Sequence, residues 1–293
     1  MRITQSMITR NLLSYINDTR ENMSTNQSAI ASGKELTTSS DDPVKFSMVT
    51  RFKEAQKRNE QYLNNILNAQ GWIESTTAII EDLYEYSLNA KDVAQQAADS
   101  SQNADNRAIL AQKLNTMIQE MVGLANTQYL GKYIFAGTQT QEEVPFSYDG
   151  NAVTYNGNSD YIKRRAAENF DVTINIPGSE LTNTDLFDSL ITLRNALLDN
   201  DQTAISQSID ELEKSANNIM SINSKLGSLK NQFELTKNRL ESSNMKLNSF
   251  ISDLEDVDLT RAITQYNAEE IVYQAALQTI SDTLNLSLLN FLD

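Results

Sequence analysis

Both ends of this chain carry apolar residues at coiled-coil spacing, and that spacing dictates what the ends can do. Near the start, Ile16, Met23 and Ile30 fall seven residues apart, one turn after Leu12 and Leu13. Over the final 35 residues, Leu259, Ile263, Tyr266, Tyr273, Leu277, Ile280, Leu284 and Phe291 follow steps of three and four, broken at Glu270 and Ser287, with Leu288 beside the series. A stripe this narrow is stable only when another helix covers it. The function of the chain therefore turns on what those stripes bury themselves against.

With 9 Gly, 3 Pro, no Cys and no His among 293 residues, the composition is that of a helical protein with thin cores. The absent cysteine removes disulfides and thiolate metal sites, and the absent histidine removes the commonest metal ligand and general base. A formal charge of −15 argues against nucleic acid, whose phosphates such a surface repels. The densest cationic run, Lys163-Arg164-Arg165, is too short to change that expectation. No apolar run approaches the roughly 18 residues that membrane insertion needs. The opening Met1-Arg2-Ile3-Thr4-Gln5-Ser6-Met7 is too polar for a cleaved signal.

The first helix is expected over about residues 4–32, closed by Gly33. Asp42 then stands at an N-cap with Pro43 at the first helical position, where a missing amide costs nothing. Val49, Phe52, Leu63, Ile66, Ile73, Ile80 and Tyr84 carry a heptad along a long helix that should persist to about Ser101. After the polar interval 99–106 the spacing restarts through Leu110, Leu114, Met117, Met121 and Leu124, which reads as a helix reversal.

Period two replaces this pattern in the middle of the chain. Val144, Phe146 and Tyr148 alternate into Asp149-Gly150, Val153 and Tyr155 alternate on the return, and Asn156-Gly157 supplies a second turn. Phe170, Val172, Ile174 and Ile176 form the clearest strand, ended by Pro177-Gly178. So small a β-rich insert needs helices to pack on. Helical spacing returns through Leu186, Leu190, Leu193 and Leu197, then through Ile205, Leu212, Ile219, Leu226, Phe233, Leu240 and Leu254. The expected fold is mainly α: antiparallel helical rods and terminal coiled-coil helices around a small central β-rich domain. Its divisions fall at 1–42, 43–137, 138–180, 181–256 and 257–293.

The acidic group Asp253, Glu255, Asp256 and Asp258 lacks the Gly and the twelfth-position Glu of a calcium loop, and reads as a solvated helix break or N-cap ahead of Leu259. Trp72 and the 11 Tyr read as packing groups. No spacing singles out a catalytic carboxylate pair, so neither a catalytic residue, a metal site nor a cofactor is expected.

Ala31-Ser32-Gly33-Lys34 leading into Ser39-Ser40-Asp41-Asp42-Pro43 resembles the loop after the first helix of flagellins, and 271–292 is similar to flagellin C-termini. The fold expectation is thus flagellin-like. Two segments resemble the hook–filament junction branch of that family. They are Leu286-Ser287-Leu288-Leu289-Asn290-Phe291-Leu292, close to a Leu-Ser-Leu-Leu-Asp-Tyr-Leu ending, and the insert from Tyr148-Asp149-Gly150 to Val172-Thr173-Ile174-Asn175-Ile176-Pro177-Gly178. Met1-Arg2-Ile3-Thr4 departs from the usual Ile-Asn-Thr-Asn of filament subunits, and Lys91-Asp92-Val93-Ala94 stands where many flagellins have Arg-Glu-Leu-Ala. The resemblance implies a homo-oligomeric ring between hook-associated protein 1 on the hook side and flagellin on the filament side. It also implies an export chaperone, the flagellar type III export apparatus and an extracellular place on the flagellum. The terminal heptad residues are then its assembly interface, where spacing alone also allows packing within one subunit's own helix bundle. A flagellin that itself builds filaments, and more remotely a soluble carboxylate enzyme, are the alternative readings.

Overall fold

In the computed structural model the chain is mainly α-helical with three small antiparallel sheets. The structure describes residues 5–99 and 102–292, the side chains of 5, 6, 8, 9 and 283–292 excepted. In order, the elements are α1 (Gln5–Ser32), α2 (Pro43–Ala98), α3 (Ala104–Ala125), β1 (Gln128–Tyr129), β2 (Lys132–Tyr133), β3 (Phe146–Tyr148), β4 (Val153–Tyr155), β5 (Lys163–Ala167) and β6 (Phe170–Thr173). Then come α4 (Gly178–Thr182), α5 (Leu186–Leu198), α6 (Gln202–Glu255) and α7 (Leu259–Leu292). Among the described residues, no helix is long and apolar enough to cross a membrane.

The chain divides into two compact units, residues 59–241 and residues 1–58 with 242–293. Residues 59–241 hold the large core. Ile66, Ile73 and Ile80 of α2 are wholly buried, as are Leu114, Ile118 and Met121 of α3. Leu186, Leu190 and Leu193 join them from α5. On α6, Ile205, Leu212, Ile219, Leu226, Phe233 and Leu240 recur every seven residues and are all buried, so the heptad is read here as intramolecular packing.

Each sheet in this unit has two strands, β1 with β2, β3 with β4 and β5 with β6. The alternation through Phe146, Tyr148, Val153 and Tyr155 does give a hairpin, in which Phe146 faces Tyr155 and Tyr148 faces Val153. The longer strand expected over 170–176 is shorter: after Thr173 the Ile174 amide still donates to the Ile162 carbonyl at 3.0 Å, but the Ile162 amide donates to the Asn175 side chain at 2.7 Å rather than to a backbone carbonyl, and Ile174, Asn175 and Ile176 are buried. β6 pairs instead with β5, whose run Lys163-Arg164-Arg165-Ala166-Ala167 has no alternating apolar signal and carries a register shift between Arg165 and Ala167. The buried Arg194 fastens the β3–β4 hairpin to the helices by donating to Tyr148 Oη and the Gly150 carbonyl. Gly71 allows the Tyr129 ring to lie against α2, since a Cβ there would meet Tyr129 Oη at 2.3 Å, and Tyr129 packs edge-on to Trp72 at 5.9 Å.

In the other unit, α1 packs on α7, and the loop between α1 and α2 meets the turn between α6 and α7. Asp42 Oδ1 accepts from the backbone amides of Val44 and Lys45 at 3.0 Å each, so the Asp-Pro start of α2 is capped as its sequence demands. Asp258 Oδ1 likewise accepts from the Arg261 amide at 3.1 Å and caps α7. Phe52 of α2 and Phe250 of α6 stack with centroids 5.7 Å apart.

Candidate assembly surface at the terminal helices

Helices α1 and α7 pair through two matching rows of side chains. On α1 the covered positions are Leu12, Ile16, Thr19, Met23, Asn26 and Ile30; on α7 they are Ala262, Tyr266, Glu269, Tyr273, Ala276 and Ile280. Both rows advance in alternating steps of four and three, the signature of a coiled-coil seam. The pair is antiparallel, since Asn26 Nδ2 donates to Glu269 Oε2 at 2.9 Å while, nearer the turn, Arg261 contacts Glu35 at 3.2 Å. Small Ala262 and Ala276 let the helices approach beside the larger α1 residues. Asn26 and Glu269 satisfy each other within the seam and fix its register.

The terminal residues singled out from spacing therefore divide into two groups. Leu12, Ile16, Met23, Ile30, Tyr266, Tyr273 and Ile280 lie in the intramolecular seam, with Ile16 and Ala262 its buried members. Leu13, Leu259, Ile263 and Leu277 remain exposed, together with Tyr15, Ile271 at 69% and Val272 at 55%, which spacing alone did not select. Leu284, Leu288 and Phe291 lie outside the described side chains. The row Tyr266, Tyr273, Ile280 shows where the seam runs. Continued at strict steps it passes through Ala262, Glu269 and Ala276, whereas Ile263 and Leu277 fall one position to the side. A search for large apolar residues passes over the small and polar seam positions and merges two faces into one stripe.

A polar clasp closes the base of this pair. Glu35 N and Leu36 N donate to the Glu255 carbonyl at 2.8 and 3.3 Å, and Val257 N donates to the Gly33 carbonyl at 3.0 Å. Gly33 adopts φ +71°, which a residue with a side chain would resist. The Glu255 carboxylate, its side chain only 8% exposed, is gripped by Lys34 Nζ at 2.8 Å and Lys53 Nζ at 2.7 Å. Burial alone would raise the Glu255 carboxyl pKa, but the two ammonium groups outweigh it and hold the group below its ordinary value. The hydrogen bond to Glu255 raises Lys34 in turn. The expectation of a solvated acidic break is corrected here: Asp258 is a cap, but Glu255 is a buried ion-paired anchor whose cations come from residues 202 and more positions away in sequence.

Asp41 organises the same loop. Its carboxylate accepts from the Thr38 and Thr37 amides at 2.8 and 3.0 Å and from the Thr38 hydroxyl, and these bonds hold its pKa at about 2. Together with the clasp, these bonds order the loop after α1 and tie it to the turn between α6 and α7.

Residues 3–140 match the bacterial flagellin N-terminal helical region, and residues 209–292 match the bacterial flagellin C-terminal helical region. The chain is 26% identical over 312 residues to flagellar hook-associated protein 3 of Escherichia coli, covering 97% of each chain. Its fold is similar to that of a putative flagellar hook-associated protein from Vibrio parahaemolyticus, with a TM-score of 0.68 at 18% identity over 74% of this chain and 100% of that one. Flagellar hook-associated protein 3 of Legionella pneumophila has a similar fold too, with a TM-score of 0.63 at 13% identity over 70% of this chain and 98% of that one.

Proposed function

Because this chain belongs to the flagellin family and is similar along its length to flagellar hook-associated protein 3, we propose that it is a structural adapter whose terminal helices join the hook to the flagellin filament. The observation that carries this reading is the unequal distribution of buried apolar surface. Among the described residues, the continuous hydrophobic core lies within 59–241. In the terminal unit, by contrast, the buried apolar side chains among the described residues are Ile16, Leu36, Val49 and Ala262.

Burying a large apolar side chain is worth roughly 1.5–3 kcal/mol, so Ile16, joined by the small Ala262 as the buried members of the α1–α7 seam, holds that pair only weakly against the entropy of ordering it. Exposed Leu13, Tyr15, Leu259, Ile263, Ile271, Val272 and Leu277 supply the missing surface once other subunits cover them. Ordering of the terminal pair is thus coupled to joining neighbours. Contacts of one subunit type on the next generate rings or open helices, and a ring is the closed form suited to a junction. Hook-associated protein 1 on the hook side and flagellin on the filament side are its neighbours. An export chaperone shields the same apolar surface before passage through the type III apparatus, and the working location is extracellular, on the flagellum. The role is structural rather than catalytic.

A strain lacking the chain should build hooks but shed flagellin monomers into the medium, and restoring the chain should restore filaments. Normal filaments in the deletion strain would overturn the adapter role. Seeded growth of the purified chain into long filaments of its own would favour a filament subunit instead.

A further inference from the structure

Beside the Glu255 clasp, within the terminal unit, lies an open recess of ≈ 430 Å³. Its floor is apolar, made of Leu36 and Val49, both almost fully buried, and half-buried Phe46. Lys34, Lys53 and Lys57 line it, against the carboxylates of Glu54 and Glu255, so the recess is net positive on a chain of formal charge −15. Lys34 and Lys53 are held in place by Glu255, which leaves Lys57 as the cation the clasp does not use. An apolar floor with a cationic rim fits an apolar segment that carries a carboxylate and no cation.

The chain carries such a segment. After Arg261 it has no Lys or Arg, but it has Glu269, Glu270, Asp282 and Asp293, with Leu284, Leu286, Leu288, Leu289, Phe291 and Leu292 crowded into its last stretch. That stretch cannot reach the recess of its own copy. Helix α7 leaves the base at Leu259 and runs unbroken for 34 residues, about 50 Å at 1.5 Å per residue, so its distal end is carried away from Leu36 and Val49. We propose that the recess receives the leucine-rich distal segment of α7, residues 282–292, led by its one carboxylate Asp282, from a second copy of this chain. The base of one terminal pair then holds the tip of another, a head-to-tail contact that repeats from subunit to subunit. The proposal rests on the assembly reading and names the contact that reading requires.

The absence of cysteine makes the test clean. Thr50→Cys lines the recess and Ser287→Cys lies in the distal segment. The two single variants would be produced together in a strain lacking its own copy of the chain. Flagella would then be isolated and oxidised with copper–phenanthroline and dioxygen, which takes up the two thiol hydrogens as one disulfide forms. The expected result is a covalent dimer on a non-reducing gel, at least fivefold more abundant than from Ser224→Cys with Ser287→Cys. Adding Lys57→Glu should cut the yield at least fivefold, and Lys57→Arg should keep it within twofold of the parent. Equal yields from the Thr50 and Ser224 pairs, or no dimer in flagella with normal filaments, would overturn the contact while leaving the adapter role standing. Normal filaments from a chain lacking residues 279–293 would remove the assembly reading itself.

Discussion

At the scale of single residues, the geometry of the terminal unit depends on carboxylates that bind backbone and ammonium groups near one loop. Asp41 is held well below its ordinary value of 3.8, at about 2, by the Thr38 and Thr37 amides. A carboxyl depressed on folding stabilises the folded loop fully above its unfolded value and loses that contribution as pH falls through the folded one. The loop should therefore loosen between about pH 4 and pH 2, with the Thr37 and Thr38 amides exchanging faster than their intrinsic acid profile. Asp41→Asn should flatten that pH dependence, and a wild-type profile in the variant would contradict the assignment. Glu255 is depressed in the same direction and adds to the acid sensitivity below its ordinary 4.5. At Asp42, Asp42→Ala removes an acceptor shared by two amides, with an expected loss of about 1 kcal/mol of α2 stability by urea titration. The Asp42 cap was plain in the sequence because its partners are two and three residues away. The Glu255 anchor was not, because no local pattern marks a carboxylate whose partners are Lys34 and Lys53.

At the scale of elements, the long helices were legible because their core rows are large and apolar at every seventh residue, as from Ile205 to Leu240. The β-hairpin around Asp149-Gly150 was legible from its turn and alternation. Strand β5 was not, since Lys163-Arg164-Arg165 owes its extended form to pairing with β6 rather than to any preference of its own. The terminal helices lie between these cases: their existence follows from spacing, but their seam includes Thr19, Asn26, Glu269 and two alanines, which a hydrophobic stripe does not reveal. Two substitutions separate the faces. Ile16→Asp places an unpaired charge in the seam and should melt α1 and α7 together, lowering helicity by up to about a fifth of the chain by circular dichroism. Leu277→Asp alters an exposed position, so helicity should hold within a few per cent while incorporation at the hook tip falls at least tenfold. Equal losses of helicity in both variants would show that the two faces are not distinct.

Across the whole molecule, the proposed function assigns stability and assembly to different stretches of one chain. Residues 59–241 contain the continuous core and bury both Arg107 and Arg194 among backbone carbonyls, Tyr148 and Asn side chains, so their folding draws on contacts inside the unit. The terminal unit keeps a short clasp and a coiled-coil seam, and exposes the large apolar side chains that the proposed assembly would cover. Thin burial in the terminal pair suits the proposed role, since a fully satisfied pair would have little to gain from a neighbour. Removal of residues 279–293 should therefore leave the thermal unfolding of residues 59–241 within about 2 °C of the parent, as followed by near-ultraviolet dichroism of Trp72, the lone tryptophan, buried in that unit. The same truncation should abolish incorporation at hook tips. A large fall in the Trp72 transition would mean that the ends support the core, and the division of labour between the two units would then be wrong.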